Sequence, residues 1–286
     1  MSEPVIRAAS RDEFAVAVDW AASEGWNPGY DDLAAFHAVD PQGFLMGFVD
    51  GEPVSSISVV RYGEDFGFLG FYIVRPDHRG TGAGIAIWNA GMAHLEGRTV
   101  GLDGVVAQQD NYRKSGFTLA GRNIRHTGIA TTDAQSGDVC TIRPVDTADL
   151  PLLCAYDRVH FPAARDGFLR NWTLPGLSVH RHTLLAVLDG AIAGYGTIRS
   201  CRTGYKIGPL FADTHDIAEA LFSALAATAP SDAEISLDTP EDNHAAVAMA
   251  HRAGLVPAFE TARMYRGTDP DLPLDRIFGI TTFELG

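Results

Sequence analysis

Two landmarks recur in this chain at one spacing, and that recurrence constrains the fold more than any single motif. Ile207-Gly-Pro-Leu-Phe-Ala212 answers Leu69-Gly-Phe-Tyr-Ile-Val74, and Gly254-Leu255 answers Gly116-Phe117. The separation from Leu69 to Ile207 equals that from Gly116 to Gly254. Shorter echoes accompany them. Thr141-Ile-Arg-Pro-Val-Asp146 answers Val5-Ile-Arg-Ala-Ala-Ser10, and Leu188-Asp-Gly190 answers Val49-Asp-Gly51. One offset at distant landmarks is the mark of a duplicated unit of about half the chain. The polar stretch 131–138 is the expected seam, which divides the 286 residues into 1–135 and 136–286. Each half is long enough to bury a core of its own.

Within the first half, residues 68–74 predict a buried strand: aromatic and β-branched, uncharged, and stopped by Pro76. The turn Arg79-Gly-Thr-Gly-Ala-Gly84 then opens a helix whose expected buried face is Ile85, Trp88, Met92 and Leu95, with Gly97 ending it. Ahead of this unit, Ser10-Arg-Asp-Glu13 is a capping box for a first helix running to about residue 23. A turn-rich loop carrying Trp26 leads to a short helix over 33–38. Strands over 44–49 and 53–61 flank Asp50-Gly51, a hairpin dipeptide. A strand over 99–102 and a short helix over 111–114 complete the unit. Its fold class is α+β, with each half a mixed, mostly antiparallel sheet flanked by helices.

A strand feeding a glycine turn at a helix N-terminus is an anion site, because unshielded backbone N–H groups and the helix dipole converge there. The turn lacks the Gly-Lys-Ser/Thr of a nucleotide P-loop and the Gly-x-Gly-x-x-Gly of a dinucleotide fold. It resembles the acetyl-CoA signature of the GNAT acyltransferases, Arg/Gln-x-x-Gly-x-Gly/Ala, as Arg79-x-x-Gly82-x-Gly84. Trp26-Asn-Pro-Gly29, Ile207-Gly-Pro-Leu210, Arg263-Met-Tyr-Arg-Gly267 and Thr281-Thr-Phe-Glu-Leu-Gly286 are similar to a bacterial tandem-GNAT subgroup, so the resemblance covers nearly the whole chain. The second half departs from the pattern: after Ala212 it reads Asp213-Thr-His-Asp-Ile-Ala-Glu-Ala220, without glycine. The resemblance therefore implies an N-terminal domain that binds acetyl-CoA and a C-terminal domain with no cofactor motif that helps form the acceptor pocket.

The resemblance also implies roles. Arg79, Gly80, Thr81, Gly82, Ala83 and Gly84 would cradle the phosphates, with Arg79 acting through its main chain or as a surface charge. Ile73 and Val74 would offer backbone groups to the pantetheine arm, and Asn111 a side-chain hydrogen bond. Tyr72 would lie near the acyl group, and Trp26 and Asn27 would shape the acceptor site. Tyr112-Arg-Lys-Ser-Gly-Phe117 resembles the family's Tyr-x-x-x-Gly-Phe, making Tyr112 the acid that protonates the departing thiolate. A phenol suits that task because it stays protonated at neutral pH. At the same offset into the second half stands Ala250, which points to one active site.

No single general base stands out among Glu24, Asp32, Glu64, Asp65 and Asp103, each of which also suits a turn or a surface. Phe161, Phe168 and Trp172 either line a pocket between the halves or belong to the core. Asp238-Thr-Pro-Glu-Asp-Asn243 predicts a helix-entry turn. The C-terminal run is too apolar for a free tail and is expected to pack as a strand or against the junction of the halves.

The ten histidines show no zinc spacing, no Gly-x-Ser-x-Gly elbow is present, and no metal is expected. A net charge of −14 argues against nucleic acid or an anionic membrane as partner, and suits an amine-bearing substrate as well as it suits plain solubility. Three scattered cysteines and the lack of a leader-like or membrane-length apolar run predict a cytoplasmic protein. Oligomeric state does not follow from the sequence. The expected activity is acetyl transfer to the primary amine of a small metabolite. A non-catalytic acyl-CoA sensor and a protein-lysine acetyltransferase are the alternatives.

Overall fold

Asp50-Gly51 and Asp189-Gly190 turn the chain in the same way, with φ of +51° and +84° at the first pair and +51° and +81° at the second. Positive φ at both positions is what a two-residue type I′ hairpin requires. The structure is a computed structural model and describes residues 3–131, 139–174 and 176–286. From residue 132 on, the expected seam lies outside them.

The first half runs β1 (Val5–Ala8), α1 (Arg11–Ser23), α2 (Asp32–His37), β2 (Phe44–Val49), β3 (Glu52–Tyr62), β4 (Phe66–Val74), α3 (Ala83–His94), β5 (Thr99–Val105), α4 (Gln109–Lys114) and β6 (Thr118–Ile129). The second half repeats that order: β7 (Thr141–Pro144), α5 (Leu150–His160), α6 (Asp166–Thr173), β8 (Arg181–Leu188), β9 (Ala191–Ser200), β10 (Tyr205–Ala212), α7 (His215–Ala226), β11 (Glu234–Pro240), α8 (His244–Arg252) and β12 (Val256–Arg266). A short β13 (Ile277–Gly279) follows. The capping box forms: Ser10 N–H donates to Glu13 Oε2 at 2.9 Å, and Glu13 N–H donates to Ser10 Oγ at 3.3 Å. Such a cap contributes about 1 kcal/mol to the helix.

The strands do not form two sheets, as the division at 135/136 suggested. They form one, in the order β1-β2-β3-β4-β5-β12-β6-β11-β10-β9-β8-β7, because the two halves exchange their last long strands. β12 pairs antiparallel with β5 from Thr261↔Val105 to Arg266↔Val100, and β6 pairs antiparallel with β11. Among the described residues, parallel pairing occurs only between β4 and β5 and between β10 and β11.

Helices cover both faces of this sheet. On one face, α3 and α4 close a core around Ile57, Val59, Trp88, Leu102 and Met264, while α7 and α8 close another around Leu221, Leu225, Leu237 and Met249. On the other face, α1, α2, α5 and α6 share one core across both halves. There Phe36 stacks on Trp172, with ring centroids 5.6 Å apart, and Phe168 stacks on Trp172 at 5.0 Å, so these aromatics are core.

One residue of a predicted face is misplaced. Trp88, Met92 and Leu95 are buried as expected, but Ile85 is 60% exposed, and Ala83, Ile87 and Gly91 are buried beside them. The contact centres on a small residue: a Cβ on Gly91 would stand 3.0 Å from Val59 Cγ1 and 3.1 Å from Ile57 Cδ1. The helix thus approaches β3 along its least bulky line, which a count of large apolar residues overlooks.

Candidate active site

The site begins where two parallel strands part. β4 and β5 pair from Phe66↔Thr99 to Leu69↔Leu102 and then diverge. On its other edge, β4 carries an extra residue against β3, between Ser58↔Gly70 and Ser56↔Ile73. Phe71, within that bulge, has φ of +46°. A side-chain-bearing residue in this region stores about 1–3 kcal/mol of strain. Ser56 Oγ, donating to Phe71 O at 2.8 Å, and the packing of Phe71 against Phe14 hold it there. The bulge bends β4 away from β5.

A cavity of about 520 Å³ fills the gap. Tyr72, Ile73 and Val74 line it from β4, Gly80 and Gly84 from the turn, and Tyr112 from α4. Trp26, Glu24 and Arg79 stand around it, and Phe259, Thr261, Phe283 and Glu284 close it from the far end of the chain. Gly80 and Gly82 have φ of +75° and +95°. Gly82 is the residue at which α3 starts, and no side chain caps that end. The first amides of a twelve-residue helix are thereby left for a ligand. By contrast, Thr214 caps α7 with its own hydroxyl, which accepts from Ile217 N at 3.3 Å.

Tyr112 is buried, stacked on Trp88 with centroids 5.8 Å apart. Burial, with Tyr72 nearby as the lesser cause, pushes its phenol well above the ordinary value, so it remains a proton donor at neutral pH. Burial raises Tyr72 as well.

Of the other sequence candidates, Arg79 is on the lining and Thr81, Ala83, Asn111 and Asn27 are off it. Thr81 and Ala83 complete the turn, Thr81 by donating to His78 O at 2.7 Å and Ala83 by burying its methyl group. Asn111 lies off the cavity lining, and its amide donates to Gln108 Oε1 at 2.7 Å. Asn27 also lies off the lining. Its amide donates to Thr203 O at 2.7 Å and accepts from Thr203 N at 2.9 Å, clipping the Trp26 loop to the β9–β10 turn. Arg79 donates to Val74 O at 3.0 Å and to Glu24 Oε1 at 2.7 Å, folding back along the strand.

The acids sort themselves by partners. Glu64 and Asp65 are exposed in the β3–β4 turn, at the other end of β4. Asp103 lines the cavity but is saturated, by Arg263 at 2.6 and 3.0 Å and by Asn123 at 2.7 Å. Asp32 accepts from Gly29 N at 2.9 Å and from Arg199 at 3.1 Å, away from the cavity. Asp238 belongs to β11 rather than to a turn and forms a buried fork with Arg125, both bonds at 2.7 Å, while Asn243 caps α8. Sequence reasoning missed Glu284, which is buried and lines the cavity. The available signal was one acid in an apolar terminal run.

At the cavity wall, Trp26 is held by its carbonyl, which accepts from Lys206 Nζ at 2.8 Å and from Arg125 at 3.2 Å. Burial, reinforced by Arg125, pushes the Lys206 amine down to about 8.

The second half has a counterpart cavity of about 220 Å³. It is lined by Phe211 and Pro240, the repeat counterparts of Ile73 and Val105 in the larger one. β10 also leaves β11, after Ile207↔Leu237, but β13 enters that gap and pairs with β10 at Leu210↔Gly279 and Phe211↔Ile277. Among the described residues, no group of three or more His, Cys, Asp or Glu could hold a metal, and no helix is long and apolar enough to cross a membrane.

Comparison with known proteins bears on the family and the fold. Residues 9–117 match the acetyltransferase (GNAT) family, and residues 153–279 match an acetyltransferase (GNAT) domain. The holothin acyltransferase of Pseudoalteromonas sp. (strain SANK 73390) is 30% identical over 278 residues, covering 97% of this chain and 93% of that protein. A solved Pyrococcus horikoshii protein shares the fold across 100% of this chain and 97% of its own, with a TM-score of 0.81 at 20% identity. A tandem GNAT protein from the clavulanic acid biosynthesis pathway shares it across 94% of this chain and 100% of its own, with a TM-score of 0.63 at 14% identity. With a family match in each half and an acyltransferase relative aligned along almost the whole length, the chain belongs to the GNAT acyltransferases as a tandem member.

Proposed function

We propose that this protein transfers the acetyl group of acetyl-CoA directly to a primary amine of a small metabolite, in the cavity between β4, β5 and the C-terminal segment. The observation that carries this reading is the one-sided pairing of β4. Beyond Leu69↔Leu102 its inner edge has no β5 partner, while its outer edge stays paired with β3 through Ser55↔Val74. The amide-bearing pantetheine arm suits such an edge, since it can take up backbone bonds as an added strand would. Ile73 and Val74 lie along it, and the uncapped start of α3 stands at its end to receive the phosphates through backbone amides. The Arg79 guanidinium is engaged with Val74 and Glu24, so its part in phosphate binding is through the main chain.

The chemistry follows from the cavity's other end. The amine nitrogen attacks the thioester carbonyl carbon, the C–N bond forms and the C–S bond breaks. Tyr112 gives its phenolic proton to the leaving sulfur. A lining drawn from both halves of the chain supports a small acceptor over a protein side chain, as does the similarity to an enzyme named for acylating holothin. The first domain would hold the donor. The second, through β12, Lys206 and the terminal segment, would shape the acceptor end.

The test is thiol release from acetyl-CoA by the purified protein across amines, polyamines, amino acids and aminoglycosides. Amine-dependent release is the expected result. Acetyl-CoA binding without turnover on any amine would overturn the reading in favour of a sensor.

A further inference from the structure

The terminal segment 280–286 lies across both halves, seated on two glycines that are counterparts in the repeat. A Cβ on Gly70 of β4 would stand 2.2 Å from Glu284 O, and a Cβ on Gly208 of β10 would stand 2.5 Å from Thr281 O. Backbone therefore rests directly on both splayed strands where neither has a side chain. The segment is pinned along its length. Arg165 donates to Thr281 Oγ1 at 3.0 Å, Tyr62 OH to Leu285 O at 3.2 Å, and Leu285 N to Thr282 Oγ1 at 3.0 Å.

This seating presents one carboxylate to the cavity that contains Tyr112. Glu284 is only 5% exposed and lines that cavity. Among the described residues its carboxylate has no hydrogen bond and no ion pair, whereas the other acids lining the cavity are engaged, Asp103 by Arg263 and Asn123 and Glu24 by Arg79. Arg125, Lys206 and Arg199 are near enough to be influenced by Glu284, yet they donate to Asp238, to Trp26 O and to Asp32. Glu284 is not among the sealed, unpartnered buried polar atoms, so its carboxylate faces the cavity and is free to meet a ligand. An ammonium group is such a ligand.

We propose that Glu284 is the proton acceptor for the amine substrate. This rests on the acyl-transfer reading above. The ammonium docks against the carboxylate and gives it one proton, which passes to water. The freed lone pair attacks the thioester carbonyl, and collapse of the tetrahedral adduct breaks the C–S bond. The sulfur leaves with the proton of Tyr112, and the second proton lost by nitrogen restores the phenol through water. In sum, R–NH3⁺ and acetyl-CoA give the amide, CoA thiol and one released proton.

The test compares wild type with Glu284→Gln and Glu284→Ala. For alkylammonium acceptors, Glu284→Gln should lower kcat/KM by roughly 100-fold or more, the usual scale for a lost general base. Acetyl-CoA affinity and Tm should hold. The remaining rate should climb with pH as free amine accumulates, and formate should partly restore turnover in Glu284→Ala. A kcat/KM within twofold of wild type overturns the assignment, as does an equal loss with an unaltered pH profile and no rescue. Failure of both variants to fold makes the carboxylate structural and overturns it too. A wild type without amine-dependent thiol release condemns the acyl-transfer reading; an active wild type matched by Glu284→Gln condemns only this one.

Discussion

Tyr112 occupies the space that a side chain on Gly104 would need: a Cβ there would stand 2.2 Å from Tyr112 Cε2. The glycine in β5 thus lets α4 lay its tyrosine flat against the sheet, beside Trp88. Replacing Tyr112 with Phe keeps this packing and removes only the proton. We expect kcat to fall by about 100-fold or more, with acetyl-CoA affinity unchanged in a direct binding measurement. An undiminished kcat removes Tyr112 from the mechanism. Gly104→Ala should expel the ring and lower both kcat and Tm, since overpacking costs about 1–3 kcal/mol.

Gly82→Val attacks the donor side. With φ of +95° at the start of α3, a β-branched residue is strained, and its side chain enters the space above the free amides. Acetyl-CoA affinity, measured by calorimetry, should fall by at least tenfold, while the amine's contribution to any residual turnover stays the same. Undiminished affinity would rule out the phosphate cradle.

Lys206 makes the fold's stability depend on alkaline pH in a definite direction. Its amine lies at about 8 in the folded chain against 10.5 when free. Below about pH 8 both states carry the proton and burial of the charge opposes folding. Between about 8 and 10.5 the folded state has lost the proton while the unfolded state keeps it, so stability rises with pH. The Tm of wild type relative to Lys206→Met should therefore increase from pH 8 to 10.5. A difference independent of pH over that window contradicts the assignment. The neutral amine still donates to Trp26 O, so the loop should persist across the window.

Gly70→Ala and Gly208→Ala separate the two seats of the terminal segment. Each should cost about 1–3 kcal/mol by forcing backbone off a splayed strand. Only Gly70 lies against Glu284 and within the larger cavity, so Gly70→Ala should lower kcat more than its counterpart at matched loss of Tm. Equal kcat losses would show that position along the segment is immaterial.

Much of the local structure around the larger cavity was legible because it is set by near neighbours in the chain. The hairpin dipeptides, the capping box at Ser10 and Glu13, the glycine turn and the Tyr112 motif are each set by residues within a few positions of one another. Their conformations follow from φ preferences and helix ends. Ile85 misled because the sequence pattern weights bulk, whereas α3 chose its line of closest approach at Gly91. Asn27 was placed by type in the acceptor loop, but its amide is spent on Thr203, a partner 176 residues away.

The sequence by itself determined that the unit is duplicated, that only its first copy has a glycine-rich turn and that Tyr112 has no second-half equivalent. The tertiary structure alone decided that β6 and β12 change places to make one sheet, that β13 enters the second gap, and that Glu284 reaches the first. The reason is physical. Turns and caps are satisfied by near neighbours in the chain. Strand exchange and the seating of a terminal segment are settled by which distant backbone edges remain unpaired, and by where a missing Cβ lets another chain approach.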